Sequence, residues 1–359
     1  MTIAPLKIAF TCGGTGGHVY PAIALAQEWV AMGHEVVFLT SDSRIDAEGV
    51  RRYGFPLETV SVDRKTGFGL FNSFWQAYRY FKTHTLSAVV ATGGYATLPV
   101  GLAAWMAGIP LYVQEQNSVP GRVNRLLARV ARRVFLTFPE SGRFFPASKI
   151  QVVGNPIRRT FLKGEVEAVF EGLDLAPCPT VLVFGGSQGS AALNAVMAEQ
   201  YDEFVEAPYC LIHLTGGALP DPHPRWTVVT PQLVAAADAQ GRIKVVVMSY
   251  FEAMDLLYAK ADVVMSRAGA TTLAELLAFH QKAILVPYPY AMDDHQRHNA
   301  EAFCLTGNGT VLPEQDMNEA VVWDLFQRWA SAPYRPATLP NQARVQITQQ
   351  LLTDLGGLS

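Results

Sequence analysis

Two glycine-rich segments, one in each half of the 359-residue chain, constrain its fold more than any other feature. Residues 13–18 read Gly-Gly-Thr-Gly-Gly-His and follow the apolar run Ile8–Phe10, whereas residues 185–190 read Gly-Gly-Ser-Gln-Gly-Ser and follow Val181–Phe184. Each segment precedes an apolar stretch with helical spacing, which indicates a strand, a glycine-rich turn and a helix. Free N–H groups at such a helix start attract anions. The pair therefore predicts two similar α/β domains, facing each other across a cleft, that bind a phosphate-bearing donor.

Short apolar runs alternate with helical stretches along almost the whole chain, which predicts doubly wound parallel sheets. The predicted strands lie at 6–11, 35–40, 57–61, 87–91, 110–113, 134–137, 150–153, 180–184, 209–214, 226–229, 243–246, 262–265, 283–286 and 309–312. The turn Gly154-Asn155-Pro156 ends the first series, and a polar stretch at about 164–179 is typical of a connector. We therefore expect a domain boundary near 157–178.

Composition limits the class of protein. Half of the residues are hydrophobic, enough for a core in each of two domains. The sequence contains no uncharged apolar run of about 20 residues, so no membrane-spanning helix is predicted. Met1–Phe10 lacks the pattern of a signal peptide. The four cysteines are scattered without a Cys-x-x-Cys motif, so we expect free thiols in a reducing cytoplasm.

Charge is distributed unevenly between the halves. Residues 1–157 contain 15 Lys and Arg against 9 Asp and Glu, whereas residues 158–359 contain 13 against 22. The basic half predicts an anionic partner, although drift between domains would also explain the difference. Nothing in the sequence resembles a nucleic-acid-binding module, so no nucleic acid is expected.

An aromatic stretch lies within the basic half. Residues 68–82 place five rings on one helical face, those of Phe71, Phe74, Trp75, Tyr78 and Phe81, and the flanking cations are Arg64, Lys65, Arg79 and Lys82. Rings combined with cations favour an anionic membrane surface, which predicts contact through residues 64–82. A helix that packs its rings into the core is the alternative.

The first glycine-rich segment fits neither common nucleotide fingerprint. A dinucleotide motif that starts at Gly14 would need glycine where Val19 stands, and no Gly-Lys-Ser/Thr follows to make a Walker A loop. His18 stands at the predicted helix start, at the edge of the sheet where α/β proteins bind ligands. Histidine titrates near neutral pH, so His18 is a candidate general base; a packed or capping histidine is the alternative.

Polar turns follow other predicted strands. In the first half these are Thr92-Gly93-Gly94-Tyr95 and Glu115-Gln116-Asn117, and in the second half Ser266–Thr272 and Asp293-Asp294-His295-Gln296. Their amides and hydroxyls suit sugars and phosphates. Thr272 and Glu275 either form a capping box or mark a helix start that holds phosphate while Glu275 binds a ribose diol. No Asp-x-Asp motif is present, so we expect phosphate neutralised by helix dipoles and by Arg158 instead of a metal ion.

Five colinear motifs resemble the MurG family, the bacterial N-acetylglucosaminyltransferases of peptidoglycan synthesis. The motifs are residues 13–21, 115–117, 154–158, 185–189 and 266–270. The resemblance implies a GT-B fold of two Rossmann-like domains, with residues 1–157 and 340–359 forming an acceptor and membrane domain and residues 158–339 binding UDP-N-acetylglucosamine.

The resemblance also implies an inverting, metal-independent transfer of N-acetylglucosamine to the C4 hydroxyl of the muramoyl sugar of lipid I, which forms lipid II. It implies a peripheral enzyme on the cytoplasmic face of the inner membrane, in a process on which bacterial cell shape and division depend. A different UDP-sugar transferase that makes glycolipids, or a sugar-nucleotide-binding protein without chemistry, remains an alternative. The glycine spacing disfavours a nicotinamide enzyme.

The resemblance further implies the residues of the site. His18 is the candidate base, and the predicted donor contacts are Thr15, Gly16, Gly17, Asn117, Arg158, Ser187, Glu252, Ala270, Thr271, Thr272, Leu273, Ala274, Glu275 and Gln296. The family often has an apolar residue at the position of Glu252, which contacts uracil through its backbone. The chain reads Ala268-Gly269-Ala270-Thr271-Thr272 where relatives have leucine or serine in place of Thr271. A longer loop at 288–296 makes Gln296 a weaker assignment than Glu275.

Overall fold

A computed structural model describes residues 4–14, 16–41, 44–60, 67–158, 173, 175–186, 188–217, 219, 226–335 and 342–356. The chain divides into two compact units, Met1–Arg159 with Leu339–Ser359, and Thr160–Thr338. These bounds lie within two residues of the predicted ones, and Arg158 belongs to the first unit instead of the second. Four predicted features lie outside the described residues: Thr15, Ser187, the cations Arg64 and Lys65, and most of the connector at 164–179.

The first unit is built on a parallel sheet. Its strands are β1 (Lys7–Thr11), β2 (Glu35–Ser41), β3 (Leu57–Val60), β4 (Ala88–Ala91), β5 (Leu111–Glu115), β6 (Arg133–Leu136) and β7 (Ile150–Val152), and its helices include α1 (Gly16–Ala31), α2 (Arg44–Arg52), α3 (Gly67–Thr83), α4 (Thr97–Met106) and α5 (Arg122–Leu127). Over the described residues the strand order is β3-β2-β1-β4-β5-β6-β7. The central strands are buried along their length because helices cover both faces, which explains their continuous apolar runs.

The second unit is built on a mostly parallel sheet. Among its described residues, the strands are β8 (Thr180–Phe184), β9 (Cys210–Leu214), β10 (Trp226–Thr230), β11 (Leu233–Ala237), β12 (Ile243–Met248), β13 (Val263–Ser266), β14 (Ala283–Leu285) and β15 (Gly309–Val311). The helices include α6 (Ala191–Ala198), α7 (Tyr201–Glu206), α8 (Met254–Lys260), α9 (Ala270–Ala278), α10 (His295–Cys304) and α11 (Glu319–Ala330). The order is β10-β11-β12-β9-β8-β13-β14-β15 across the part of the unit that the structure describes.

All predicted strands are present, with ends shifted by at most two residues, but β11 was not predicted. This strand pairs antiparallel with both β10 and β12, so this edge departs from the parallel pairing of the rest of the sheet. Its sequence, Leu-Val-Ala-Ala-Ala, ends in alanines, which are depleted in strands. Pairing on both sides, instead of local propensity, holds this segment extended.

The C-terminal helix, α12 (Ala343–Asp354), belongs to the first unit. Ile347 and Leu351 are fully buried in the same hydrophobic cluster as Trp29 of α1. Arg344 Nε lies 2.7 Å from Glu28 Oε2 near the start of the helix, and Arg133 Nη2 lies 2.9 Å from Asp354 Oδ1 at its end. Both partners of each pair are largely enclosed, so α12 is fixed to the unit at its two ends.

The cysteines of the second unit differ from their prediction. Cys178 and Cys210 form a disulfide with a Cα–Cα distance of 6.1 Å, so the expectation of four free thiols was wrong. Cys12 and Cys304 are free. The sequence carried no signal for this pair because Cys178 precedes β8 whereas Cys210 begins the neighbouring β9, and only the pairing of these strands brings the two together.

Among the described residues, no helix is both long and apolar enough to cross a membrane.

Candidate functional site

In the first unit, the predicted site residues gather where β1, β4 and β5 end. Gly16, Gly17 and His18 form the first turn of α1, and Asn117 follows β5. A Cβ atom at Gly94, whose φ is +94°, would lie 1.9 Å from the carbonyl oxygen of Gly13. Only glycine therefore allows the turn after β4 to pack against the first glycine-rich segment.

The contacts of His18 determine which of its ring nitrogens is basic. Nδ1 lies 3.1 Å from the carbonyl oxygen of Thr92 and 3.0 Å from Oε1 of Gln116. A carbonyl oxygen only accepts hydrogen bonds, so Nδ1 carries the proton and donates it. In the neutral ring, Nε2 is then the nitrogen that can take a proton. Thr92 also donates from Oγ1 to the His18 carbonyl at 2.7 Å, which fixes the start of α1.

Gln116 orients His18, a role that sequence reasoning did not assign to it. Its Nε2 donates to the Thr92 carbonyl at 2.6 Å and to the Gln114 carbonyl at 3.2 Å, so its Oε1 is the end that faces His18. Gln114 in turn donates to Asn155 Oδ1 at 3.1 Å. The motif at 115–117 and the turn at 154–156 thus support one imidazole through a buried amide network.

A buried carboxylate positions Asn117, the predicted donor contact of the first unit. Glu115 Oε1 accepts from the Asn117 backbone N–H at 2.9 Å, and Oε2 accepts from Asn124 Nδ2 at 2.8 Å and from the Gly121 backbone at 3.2 Å. Burial raises the pKa of Glu115, and these hydrogen bonds oppose the rise. The loop after β5 is therefore built around a solvent-excluded carboxyl group.

Arg158 lies against aromatic side chains of the first unit. Its guanidinium is 4.3 Å from the centre of the Tyr20 ring, and Nη1 donates to the Tyr53 hydroxyl at 2.8 Å. The residue is buried. The predicted cation thus lies beside α1, which carries His18, and its contact with the donor stays a prediction.

In the second unit, two glycine turns meet at the ends of β8 and β9. A Cβ atom at Gly189, whose φ is +72°, would lie 2.0 Å from the Thr215 carbonyl oxygen. Ser190 is the N-cap of α6 and accepts from the Leu193 backbone N–H at 3.4 Å. The loop leads into a helix N-terminus, where backbone N–H groups attract anions; Ser187 lies outside the described residues.

Arg267 connects several loops of this edge, and sequence reasoning assigned it no role. Nη2 donates to Ser190 Oγ at 2.7 Å and forms an ion pair with Glu314, and Nη1 lies 3.2 Å from the Pro287 carbonyl. The side chain is mostly buried. Its position directly after β13, at the carboxyl edge of the sheet, is the signal that could have identified it.

The predicted donor contacts Ala270 to Glu275 form the first turns of α9. The N-cap is Gly269, without a side-chain cap, so Thr272 lies inside the helix and the capping-box alternative for Thr272 and Glu275 was wrong. Oγ1 of Thr271 is buried and lacks a hydrogen-bond partner in the structure. Glu275 is buried and its Oε2 accepts from the Tyr258 hydroxyl at 3.0 Å.

The remaining predicted contacts lie on neighbouring loops. Gln296, in the first turn of α10, accepts the Tyr288 backbone N–H through Oε1 at 2.9 Å, so its Nε2 is the end that can donate to a ligand. Two residues before it, Asp294 adopts φ +52°, as does Asp293. Glu252 precedes α8, and its carbonyl accepts from the Met254 N–H at 2.9 Å. Within the described residues, no group of three or more His, Cys, Asp or Glu side chains could hold a metal ion.

A buried polar relay supports the loop at the start of α6. The Tyr201 hydroxyl lies 2.7 Å from His213 Nδ1, and His213 Nε2 lies 3.1 Å from Asn194 Oδ1. Asn194 Nδ2 donates to the Thr215 carbonyl at 2.9 Å, so the Asn194 oxygen must accept from His213. Burial lowers the pKa of His213 to about 4, and the ring is therefore neutral with its proton on Nε2.

Comparison with known proteins gives one consistent family. The glycosyltransferase family 28 N-terminal domain matches residues 8–136, and its C-terminal domain matches residues 180–350. A Myxococcus xanthus protein is 35% identical over 352 residues, covering 94% of this chain and 88% of its own length. A Geobacter metallireducens protein is 36% identical over 352 residues, covering 92% and 91%. Both are named UDP-N-acetylglucosamine–N-acetylmuramyl-(pentapeptide) pyrophosphoryl-undecaprenol N-acetylglucosamine transferase.

Solved structures agree. MurG of Acinetobacter baumannii has a TM-score of 0.69 and 27% identity, and the match covers 97% of this chain and 95% of that one. CalG4, the calicheamicin glycosyltransferase, has a TM-score of 0.63 at 15% identity, with coverage of 99% and 96%, and this likeness concerns the fold alone. The predicted GT-B fold class is confirmed.

Proposed function

Because this chain belongs to glycosyltransferase family 28 and to its MurG group, we propose that it transfers N-acetylglucosamine from UDP-N-acetylglucosamine to the muramoyl sugar of undecaprenyl-pyrophosphoryl-MurNAc-pentapeptide. The acceptor oxygen is the C4 hydroxyl, and the product is lipid II. This reaction places the protein in peptidoglycan synthesis and thereby in cell shape and division. The single observation that carries the chemistry is the orientation of His18, whose Nδ1 is occupied as a donor.

His18 acts as the general base. With its proton held on Nδ1 by Thr92 and Gln116, the neutral ring presents Nε2 as its basic nitrogen. Nε2 takes the proton of the C4 hydroxyl as the oxygen attacks the anomeric carbon of the donor. Displacement from the face opposite UDP inverts that carbon and gives a β-1,4 linkage. A positioned base of this kind contributes roughly 10²- to 10⁴-fold in rate.

The second unit binds the donor. Backbone N–H groups at the starts of α6 and α9 stabilise the negative charge that develops on UDP as the glycosidic bond breaks. At the start of α9, Thr271 supplies a buried hydroxyl oxygen that has no hydrogen-bond partner. Arg267 holds the α6 loop in place through Ser190. Thr15, Ser187 and Arg158 stay predicted contacts of the donor phosphates.

The nucleoside and the N-acetylglucosamine of the donor lie toward opposite ends of the carboxyl edge of the second sheet. Glu275, oriented by Tyr258, accepts hydrogen bonds from the ribose diol. The backbone at Glu252 contacts uracil. Gln296 donates from Nε2 to a hydroxyl oxygen of the hexose, since its Oε1 is used by Tyr288. Asn117 contacts the donor from the first unit.

Charge on the leaving group is balanced by helix dipoles and arginines, so the reaction needs no metal ion and no cofactor. The enzyme acts at the cytoplasmic face of the inner membrane as a peripheral protein. Helix α3 supports this location, because it exposes Phe71 and Trp75 next to Arg79 and Lys82. Three further rings of the helix face the core: Phe81 is buried, and Phe74 and Tyr78 pack against the same cluster.

The test is transfer of radiolabel from UDP-N-acetylglucosamine to lipid in butanol extracts. Lipid I and diacylglycerol are offered separately, each with and without EDTA. We expect product from lipid I alone, at the same rate with EDTA. Product from diacylglycerol would assign the chain to glycolipid synthesis, binding of UDP without any product would make it a binding protein, and loss of activity in EDTA would refute metal independence.

A further inference from the structure

Two cysteines and a lysine meet at the amino ends of the strands of the second sheet. The predicted donor site lies at the other edge, where the strands have their carboxyl ends. Cys178 precedes β8, Cys210 begins β9, and Lys244 is the second residue of β12. These strands are parallel neighbours in the order β12-β9-β8, so their amino ends coincide. Lys244 Nζ lies 3.4 Å from Cys178 Sγ and 2.6 Å from the Ala207 carbonyl oxygen.

The ammonium group of Lys244 is buried and held by hydrogen bonds. Lys244 is only 5% exposed, and its ammonium group donates to a backbone oxygen on one side and to sulfur on the other. A cation at this distance stabilises a thiolate, which is the reactive form of cysteine. Cys178 is partly exposed.

The other cysteines lack this combination. Cys12 and Cys210 are fully buried. Cys304 is partly exposed, but burial and the nearby Glu301 raise the pKa of its thiol to about 11. Of the four cysteines, Cys178 alone combines partial exposure with an adjacent ammonium group.

Both oxidation states of the pair fit the fold. The Cα–Cα distance of 6.1 Å lies within the range of ordinary disulfides. When reduced, the Cys210 thiol has a hydrogen-bond acceptor in the Ala176 carbonyl at 3.4 Å. Oxidation and reduction therefore need no rearrangement of β8 or β9.

We propose that Cys178 and Cys210 form a reversible dithiol site that reacts with small-molecule disulfides of the glutathione type, with Cys178 as the attacking thiol, Cys210 as the resolving thiol and Lys244 as the activating cation. The Cys178 thiolate attacks one sulfur of the disulfide, and the first small thiolate leaves. The Cys210 thiolate then attacks the Cys178 sulfur and expels the second. The protein loses two electrons, and the two thiol protons pass through solvent to the departing thiolates, so one disulfide and two thiols yield one protein disulfide and two small thiols.

The position of the Cys178–Cys210 disulfide predicts how it affects stability and activity. It joins the amino ends of β8 and β9, whereas the predicted donor site lies at their carboxyl ends. Oxidation therefore stabilises the second unit by constraining the unfolded chain and leaves glycosyl transfer unchanged. We expect the melting temperature to rise by roughly 5 °C or more on oxidation, with transfer rates equal within about twofold.

The first experiment uses full-length protein, fully reduced and then incubated with oxidised glutathione. Alkylation and mass spectrometry should find an intramolecular Cys178–Cys210 bond in wild type, and a stable glutathione adduct on Cys178 in Cys210→Ser. Cys304→Ser is the matched control and should behave as wild type. Adduct formation on Cys304 as fast as on Cys178, or no protein disulfide under conditions where the reduced protein is folded, would overturn the proposal.

The second experiment tests Lys244. In the Cys210→Ser background, the alkylation rate of Cys178 is measured from pH 5 to 10, alone and with Lys244→Met or Lys244→Arg. The groups that act electrostatically on Lys244 are Asp238 and Arg242, and both are retained. Lys244→Met should slow alkylation at pH 7 about tenfold and move the midpoint to higher pH, whereas Lys244→Arg should restore most of the rate. Identical profiles for all three proteins would refute the activating role.

Discussion

Nε2 of His213 lies 3.1 Å from Oδ1 of Asn194, and this hydrogen bond joins the centre of the second sheet to the helix that follows the glycine-rich loop. His213 is fully buried on β9, and Asn194 belongs to α6. Since Asn194 also donates to the Thr215 carbonyl, the contact connects the two glycine turns of this edge through side chains with fixed hydrogen-bond directions. Burial favours the neutral imidazole at this position.

The neutral His213 predicts a pH dependence of stability. Its folded pKa of about 4 lies below the ordinary histidine pKa of 6.5, so the unfolded chain binds a proton between these values and the folded chain does not. The resulting stability is complete above pH 6.5 and is lost as the pH falls toward 4, by roughly 3 kcal/mol. Urea unfolding at intervals from pH 7 to 4.5 should show a steeper decline for wild type than for His213→Gln. Parallel curves would contradict the assignment.

His18→Ala tests the proposed base. We expect kcat to fall roughly 10²- to 10⁴-fold, while the Kd for UDP-N-acetylglucosamine changes little, because the donor is bound mainly by the second unit. Steady-state kinetics and calorimetric titration measure the two quantities. His84→Ala, at an exposed histidine after α3, is the matched control and should retain full activity. A kcat within severalfold of wild type would show that another group removes the proton.

Gln116 should act through His18 alone. Gln116→Met keeps the volume but removes one of the two acceptors of the Nδ1 proton and leaves only the Thr92 carbonyl, so the ring is held less firmly in its orientation. The expected result is a fall in kcat of about 10-fold or more with an unchanged KM for the donor. Gln349→Met, at an exposed glutamine of α12, controls for the substitution itself. A rise in KM without loss of kcat would point instead to a binding role.

Local pattern predicted most of the architecture. The apolar runs located the strands because strands buried on both faces consist of such runs, and the glycine-rich segments marked two loops at the carboxyl edges. β11 was missed because its alanines carry no strand signal and its conformation depends on pairing with β10 and β12.

The site was only partly predictable for a different reason. Gln116 and Arg267 appeared in the sequence as members of polar motifs, but their roles depend on partners far along the chain, 98 residues away for His18 and 77 for Ser190. The disulfide was not predicted for the same reason, because its cysteines meet only through strand pairing. Spacing along the chain does not encode contacts of this kind.

Arg267 should support donor binding. Arg267→Gln removes the charge that links Ser190, Glu314 and the loop after β14. Hydrogen bonds to charged groups contribute about 1.5–3 kcal/mol, so we expect the KM for UDP-N-acetylglucosamine to rise roughly 10- to 100-fold. Initial rates over a range of donor concentrations provide the measurement. Arg328→Gln, at an exposed arginine of α11, should match wild type; an equal effect in both variants would exclude a specific role.

Helix α3 should attach the protein to anionic bilayers. Phe71 and Trp75 are 62% and 37% exposed, although Ala77 and Phe81 of the same helix are buried, so replacing the two exposed rings leaves the core contacts intact. Rings insert at the headgroup boundary while Arg79 and Lys82 attract the anionic surface. Phe71→Ser with Trp75→Ser, and separately Arg79→Glu with Lys82→Glu, should each reduce sedimentation with phosphatidylglycerol vesicles several-fold.

The matched control for this surface is Leu305→Ser. Leu305 is 82% exposed but lies in the second unit, so the change removes a comparable apolar side chain away from α3. High salt should weaken binding of wild type and of the ring variant, since it screens the charges, whereas the charge-reversal variant should respond little. Vesicle partitioning that is unchanged in both α3 variants would show that the exposed rings serve another purpose and that the membrane contact lies elsewhere on the chain.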